Sequence, residues 1–241
     1  MPAASVSPPT ARAHLERIAA EGGPIGDTRG FPMPADPRAA AVLILFGVLD
    51  DLPSDHVASA VSRDLDVLLL ARATTLRSHP GQVAFPGGRL DPEDNGPVGA
   101  ALREAREETG LDLAGVDVLG TLDPVPLEYS GHVVTPVLGW WRQPSAVHAV
   151  DQAESAAVFR APVADLLDPA HRGVTVIRRE GQEWRGPGFV VDHPTGVHLV
   201  WGFTALLLDG LFTRLGWTEP WDRTRELPIP EYGRGARADL R

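Results

Sequence analysis

Arg103-Glu104-Ala105-Arg106-Glu107-Glu108-Thr109-Gly110-Leu111 is the stretch on which the reading of this 241-residue chain turns. Pro97 upstream suits the first turn of a helix and Gly110 suits a left-handed cap, so a helix is predicted over Pro97 to Thr109. At about 100° per residue, Val98, Leu102, Ala105 and Thr109 share one face, and Glu104, Glu107 and Glu108 lie together beside it. A solvated face is one reading of these charges. The pairing disfavours it: Glu104 neighbours Glu107 and Glu108, and Arg103 precedes Glu107 in the less favourable order, each repulsion costing about 0.2 to 0.5 kcal/mol. A divalent cation reverses the sign, because clustered carboxylate oxygens are what magnesium or manganese requires.

Just upstream stand Phe85-Pro86-Gly87-Gly88 and then Asp91, Glu93 and Asp94. Two glycines can be an ordinary turn. Between a strand and an acidic helix they also let a bare backbone approach a phosphate or offer a carbonyl to a metal. Working outward, the nearly unbroken apolar run Ala39 to Val48 has the pattern of a strand buried on both faces, a buried helix being the alternative. Val67 to Leu70, Val83 to Phe85, Val116 to Leu122, Val133 to Trp140 and Ser155 to Phe159 are further strand candidates, with Pro136 suggesting an edge or a bulge. Ala11 to Ala20 suits a short helix. Trp201 to Leu215 recovers helical spacing through Phe203, Leu206, Leu207 and Leu211.

Gly88, the acidic segment and Arg103 to Leu111 resemble the Nudix box, G-x5-E-x7-R-E-U-x-E-E-x-G-U with U aliphatic. The second half fits at every fixed position, with Ala105 as the small apolar residue. The first half departs: fourteen residues separate Gly88 from Arg103, one more than usual, so that Asn95 falls on the Glu position and Asp94 stands beside it. Leu68-Leu69-Leu70-Ala71-Arg72-Ala73, Arg77, Gly81 and Phe85 to Gly88 resemble L-L-T-x-R-[SA]-x3-R-x3-G-x3-F-P-G-G of coenzyme A diphosphatases, Leu70 replacing the Thr.

The resemblance implies an αβα sandwich with a mixed β-sheet, spanning residues 39–216 between an N-terminal extension (1–38) and an irregular C-terminal tail (217–241). It implies Mg2+ or Mn2+ held by Glu107, Glu108 and Glu104, the last alternatively activating water. Arg103 would hold a carboxylate in place, and the Gly88 carbonyl would complete the metal shell. Glu154 is similar to an acid that approaches the site in some members, an exposed loop acid being the alternative. Arg72, Arg77 and Gly87 are expected at the substrate phosphates, although surface charge explains the arginines equally well. His79 and His132 are weaker pocket candidates.

The implied reaction is hydrolysis of coenzyme A to 3',5'-ADP and 4'-phosphopantetheine. The alternatives are ADP-ribose, dinucleotides or nucleoside triphosphates as substrate, or a non-catalytic module that senses a nucleotide. With 32 acidic against 22 basic side chains, the net charge of -10 offers no general attraction to nucleic acid or anionic membrane. The chain has no Cys, which excludes disulfides and thiolate chemistry and suits a reducing cytoplasm. The N-terminus lacks a secretory apolar core, and Leu199 to Phe212 is too short to span a bilayer. A small nucleotide is the expected partner, and homodimerisation is left open.

Overall fold

The computed structural model describes residues 8–28, 31–48, 53–76, 80–179, 181–194 and 196–230. The apolar run is strand β1 (Arg38–Val48), and it is a strand because its side chains alternate between two cores. Leu43 and Leu45 enter one apolar cluster, Ile44 and Phe46 the other. β2 (Leu65–Arg72) repeats the pattern, Leu68 facing the first cluster and Val67 and Leu69 the second. β1 and β2 pair only at Phe46 to Val48. At the other end of β1, after the short β3 (Val83–Ala84), the gap is filled by β4 (Gly87–Arg89), whose three residues pair with Val42, Ala41 and Ala40.

The acidic helix follows as α1 (Gly96–Thr109). It ends where Gly110 adopts φ 69°, its N–H returning to the Arg106 carbonyl. Ala100, Ala101, Ala105 and Thr109 are its buried positions, all small, so the helix lies close on Ala41 and Leu43. β5 (Val116–Thr121) and β6 (Val125–Leu127) then pair in turn along β7 (His132–Trp141), which runs parallel to β1 over Arg38 to Gly47. β8 (Ser155–Pro162) closes the sheet against β2. Parallel β1 and β7 among antiparallel neighbours make the sheet mixed.

Pro136 lies in the interior strand β7, not at an edge. Its carbonyl accepts from Leu122 N–H, so its missing donor faces the same side, where β5 hands over to β6 and the ladder is already interrupted.

The opposite face of the sheet is covered by a helix over Pro8–Glu21, with Ala11, Leu15 and Ile18 fully buried, and by α2 (Gly202–Leu215) with Leu207, Leu208, Leu211 and Phe212. Helices on both faces give the αβα sandwich. A second sheet, β9 (Arg172–Arg179), β10 (Gln182–His193) and β11 (Gly196–Val200), packs beside α2 through Phe189 and Val191. Trp217 is buried in this core, and Glu226–Leu227 pairs with β9. Among the described residues, no helix is long and apolar enough to cross a membrane.

Candidate active site

The open end of the sheet, where β4 replaces β2 beside β1, meets the acidic face of α1. Gly87 and Gly88 are glycines for different reasons. A Cβ on Gly87 would stand 2.3 Å from the Ala41 carbonyl oxygen, so the strand pairing itself excludes a side chain. A Cβ on Gly88 would stand 2.2 Å from Oε1 of Glu104, so there the glycine makes room for a carboxylate.

Three acids approach this loop. Gly87 N–H donates to Oε2 of Glu108 at 3.0 Å. Burial pushes the Glu108 carboxyl up to about 7 from 4.5; the Gly87 bond and Arg72 oppose the shift, while the charges of Glu104 and Glu154 add to it. Glu154 reaches this neighbourhood through the sheet: Arg72 on β2 pairs with Ser155 across a bulge after Ala71, and Glu154 directly precedes Ser155. The segment leading to it lies over the end of α1, where His148 N–H and Val150 N–H donate to the Thr109 and Glu108 carbonyls at 3.0 and 3.2 Å. Glu154 is exposed, and Arg72 is partly covered, its Nε buried without a hydrogen-bond partner among the described residues.

Arg103 organises the other side. Its Nε and Nη2 grip both oxygens of Asp94 at 3.0 and 2.9 Å, and its Nη1 donates to Glu104 at 3.0 Å and Glu107 at 3.2 Å. Nη2 also donates to the Arg89 carbonyl at 3.0 Å, tying helix to loop. The guanidinium lowers the Asp94 carboxyl below its ordinary value. Asp94 is thus the residue bound to Arg103, despite the extra residue between them.

The expected site residues Glu104, Glu107, Glu108, Arg103, Gly87, Gly88, Arg72 and Glu154 all fall around this end of the sheet. Arg77 and His79 lie outside the described residues. Among the described residues, no three acidic or imidazole side chains stand close enough together to hold an ion as they lie. The donor chemistry nevertheless fits a hard divalent cation: Glu108 is a half-buried carboxylate beside two others, and Gly88 leaves space at Glu104 that a Cβ would fill.

A model of the NUDIX domain matches residues 53–175, half of the chain. The chain belongs to the Nudix family. It is similar to "Uncharacterized Nudix hydrolase NudL" of Photorhabdus laumondii, 39% identical over 145 residues, covering 60% of this chain and 74% of that protein. The protein of the same name from Cronobacter sakazakii is 41% identical over 150 residues, covering 62% and 75%. Among solved structures, a Nudix hydrolase from M. smegmatis, RenU, aligns with TM-score 0.40 and 25% identity over 56% of this chain and 79% of its own. Nudix hydrolases act on nucleoside-diphosphate-linked small molecules and generally use divalent metals such as Mg2+ or Mn2+.

Sequence reading missed one group here. Arg38, Arg89 and His132 come from three strands, and His132 alone drew notice. No single window of sequence places them together.

Proposed function

We propose that this Nudix hydrolase is a metal-dependent diphosphatase whose substrate is coenzyme A, cleaved to 3',5'-ADP and 4'-phosphopantetheine. The observation that carries the chemistry is Glu108, a half-buried carboxylate facing Glu104 and Glu154 with one backbone N–H as its hydrogen-bond donor. Such a group is costly in the folded protein unless a cation neutralises it. The substrate assignment rests on the Leu68 to Gly88 signature.

Glu104, Glu107, Glu108 and the Gly88 carbonyl would hold Mg2+ or Mn2+, which supplies charge neutralisation at the diphosphate and makes bound water more acidic. Arg103 keeps Glu104 and Glu107 turned to the loop, a positioning role. Arg72, with its buried Nε, is the phosphate contact on the β2 side, together with Arg77 and Gly87, whose N–H is shared with Glu108. Water attacks one phosphorus, and Glu104 or Glu154 accepts its proton. Residues 39–216 form the catalytic unit in this proposal, acting on a soluble substrate in the cytoplasm.

The test is incubation of purified protein with Mg2+ and a panel of coenzyme A, ADP-ribose, NADH and nucleoside triphosphates, with products identified by mass. Coenzyme A should yield the two named products, and Glu107→Gln should abolish turnover while the fold persists. Turnover of other members with coenzyme A intact overturns the substrate. No turnover of any member overturns the enzyme.

A further inference from the structure

We propose that Arg38, Arg89 and His132 form a second anion site that receives a phosphomonoester carried on the substrate's ribose, separate from the diphosphate site. The proposal rests on the coenzyme A reading, whose adenosine half leaves as 3',5'-ADP and therefore bears such a phosphate.

Strand register brings the three together. Arg38 pairs with His132 at the start of the parallel β1–β7 ladder, and Arg89 pairs with Ala40. Because side chains alternate along a strand, Arg38, Ala40, Arg89 and His132 share one face. Nε of Arg89 stands 3.3 Å from Nε2 of His132, and Nη2 of Arg38 donates to the Ser130 carbonyl at 2.7 Å. Both arginines are exposed to solvent and His132 is half-buried.

Three basic side chains from three strands meet here without an ion pair to a carboxylate among the described residues. In a chain with ten more acidic than basic side chains, Arg12, Arg103, Arg142 and Arg178 each pair with carboxylates. Among the described residues no carboxylate lies within ion-pairing distance of Arg38, Arg89 or His132. Burial, then the charges of Arg38 and Arg89, hold the imidazole below its ordinary value, as expected where positive charge meets no answering anion. Two guanidinium forks beside an imidazole suit a phosphomonoester, whose oxygens accept bidentate hydrogen bonds. The net charge of -10 and the small extent of the cluster favour a small-molecule phosphate over a polynucleotide backbone.

The position also fits. Arg89 directly follows Gly88, and its carbonyl is bound by Arg103. Gly88 faces Glu104, and alternation turns Arg89 to the other side of the strand. A molecule with an anion on each side of a linking sugar can contact both.

Calorimetric titration with 3',5'-ADP and with 5'-AMP tests the site without any turnover. Wild-type protein should bind 3',5'-ADP about tenfold or more tightly than 5'-AMP. The Arg38→Gln/Arg89→Gln double variant should lose that preference with 5'-AMP affinity unchanged. A wild-type protein that fails to prefer 3',5'-ADP, or a variant that keeps the preference, overturns the proposal. Kinetics separate it from the reading beneath it: the variant should raise KM for coenzyme A about tenfold with kcat retained, leaving dephospho-coenzyme A unaffected. If coenzyme A is not cleaved yet 3',5'-ADP is preferred, the substrate falls and the site stands. If coenzyme A is cleaved with no preference, the site falls alone.

Discussion

Glu108 and Arg172 are both charged groups drawn out of water, Glu108 in part and Arg172 fully, and their surroundings differ in kind. Arg172 opens β9 with its side chain fully covered, between the rings of Phe189 and Trp221 at 4.7 and 4.5 Å from their centroids, and it is ion-paired to Asp209 of α2. Its counter-charge and its π-faces are built into the protein. Glu108 has a single N–H from Gly87 and faces two more carboxylates. The first arrangement carries its own ion pair and joins the second sheet to the helix, although Nε and Nη1 of Arg172 are buried without a hydrogen-bond partner among the described residues. The second has no ion pair within the described residues, and the proposed function assigns the balancing charge to a divalent cation. Burial alone does not separate the two: Arg172 is ion-paired, whereas Glu108 has only the nearby charge of Arg72 set against those of Glu104 and Glu154.

The largest expected effect follows from removing each charge in turn. Glu108→Gln keeps an acceptor for Gly87 but removes the charge. Turnover should fall by roughly two to three orders of magnitude, as when one charge-stabilising group is removed from a catalytic site, while the metal-free protein melts at a higher temperature than wild type. Calorimetric melting and product release measure the two, and a lower melting temperature would put Glu108 in the same class as Arg172.

Asp209→Ala should do the reverse. It strands Arg172 in the core and should cost about 3 to 5 kcal/mol in denaturant unfolding, with kcat per folded molecule unchanged. A loss much below this would mean that Phe189 and Trp221 alone accommodate the guanidinium.

Gly88→Ala is a finer probe of the acidic site. The three atoms nearest the added Cβ all belong to the end of the Glu104 side chain, so the carboxylate can swing away. Stability should change by less than about 1 kcal/mol, and turnover should fall about tenfold to a hundredfold, the scale seen when a metal site's supporting geometry is disturbed. Gly87→Ala, which meets the Ala41 carbonyl and Val42, should instead destabilise the fold.

The smallest effect belongs to the second sheet. His198 stacks on Phe159 at 4.5 Å, and burial holds both His193 and His198 below the ordinary imidazole value of 6.5. With the folded value depressed, the unfolded chain takes up protons first as pH falls below 6.5, so this contribution to stability is intact above that value and is lost on acidification. Unfolding curves across that range should slope less in His198→Gln; an unchanged slope would remove His198 from this account.

The acidic region was the legible one. Gly87, Gly88 and the α1 acids are close in sequence, and helix periodicity projects Glu104, Glu107 and Glu108 together without any knowledge of the sheet. β1 could be read because both faces are buried and no polar residue interrupts it. Arg172 could not: a lone arginine reads as surface, and its partners Phe189, Asp209 and Trp221 come from three distant segments. The second sheet was equally hidden, since Gln182 to Gly188 is largely solvated and carries no apolar alternation. Pro136 misled because its tolerance depends on the hand-over from β5 to β6, which only the pairing reveals.

Titration of the metal-free protein with Mg2+ and Mn2+, followed by calorimetry and thermal melting, decides whether the α1 carboxylates hold a divalent cation. The proposed cation site requires saturable binding that raises the melting temperature of wild type and is lost or greatly weakened in Glu108→Gln. Equal stabilisation of wild type and Glu108→Gln, or no binding to either, would contradict it.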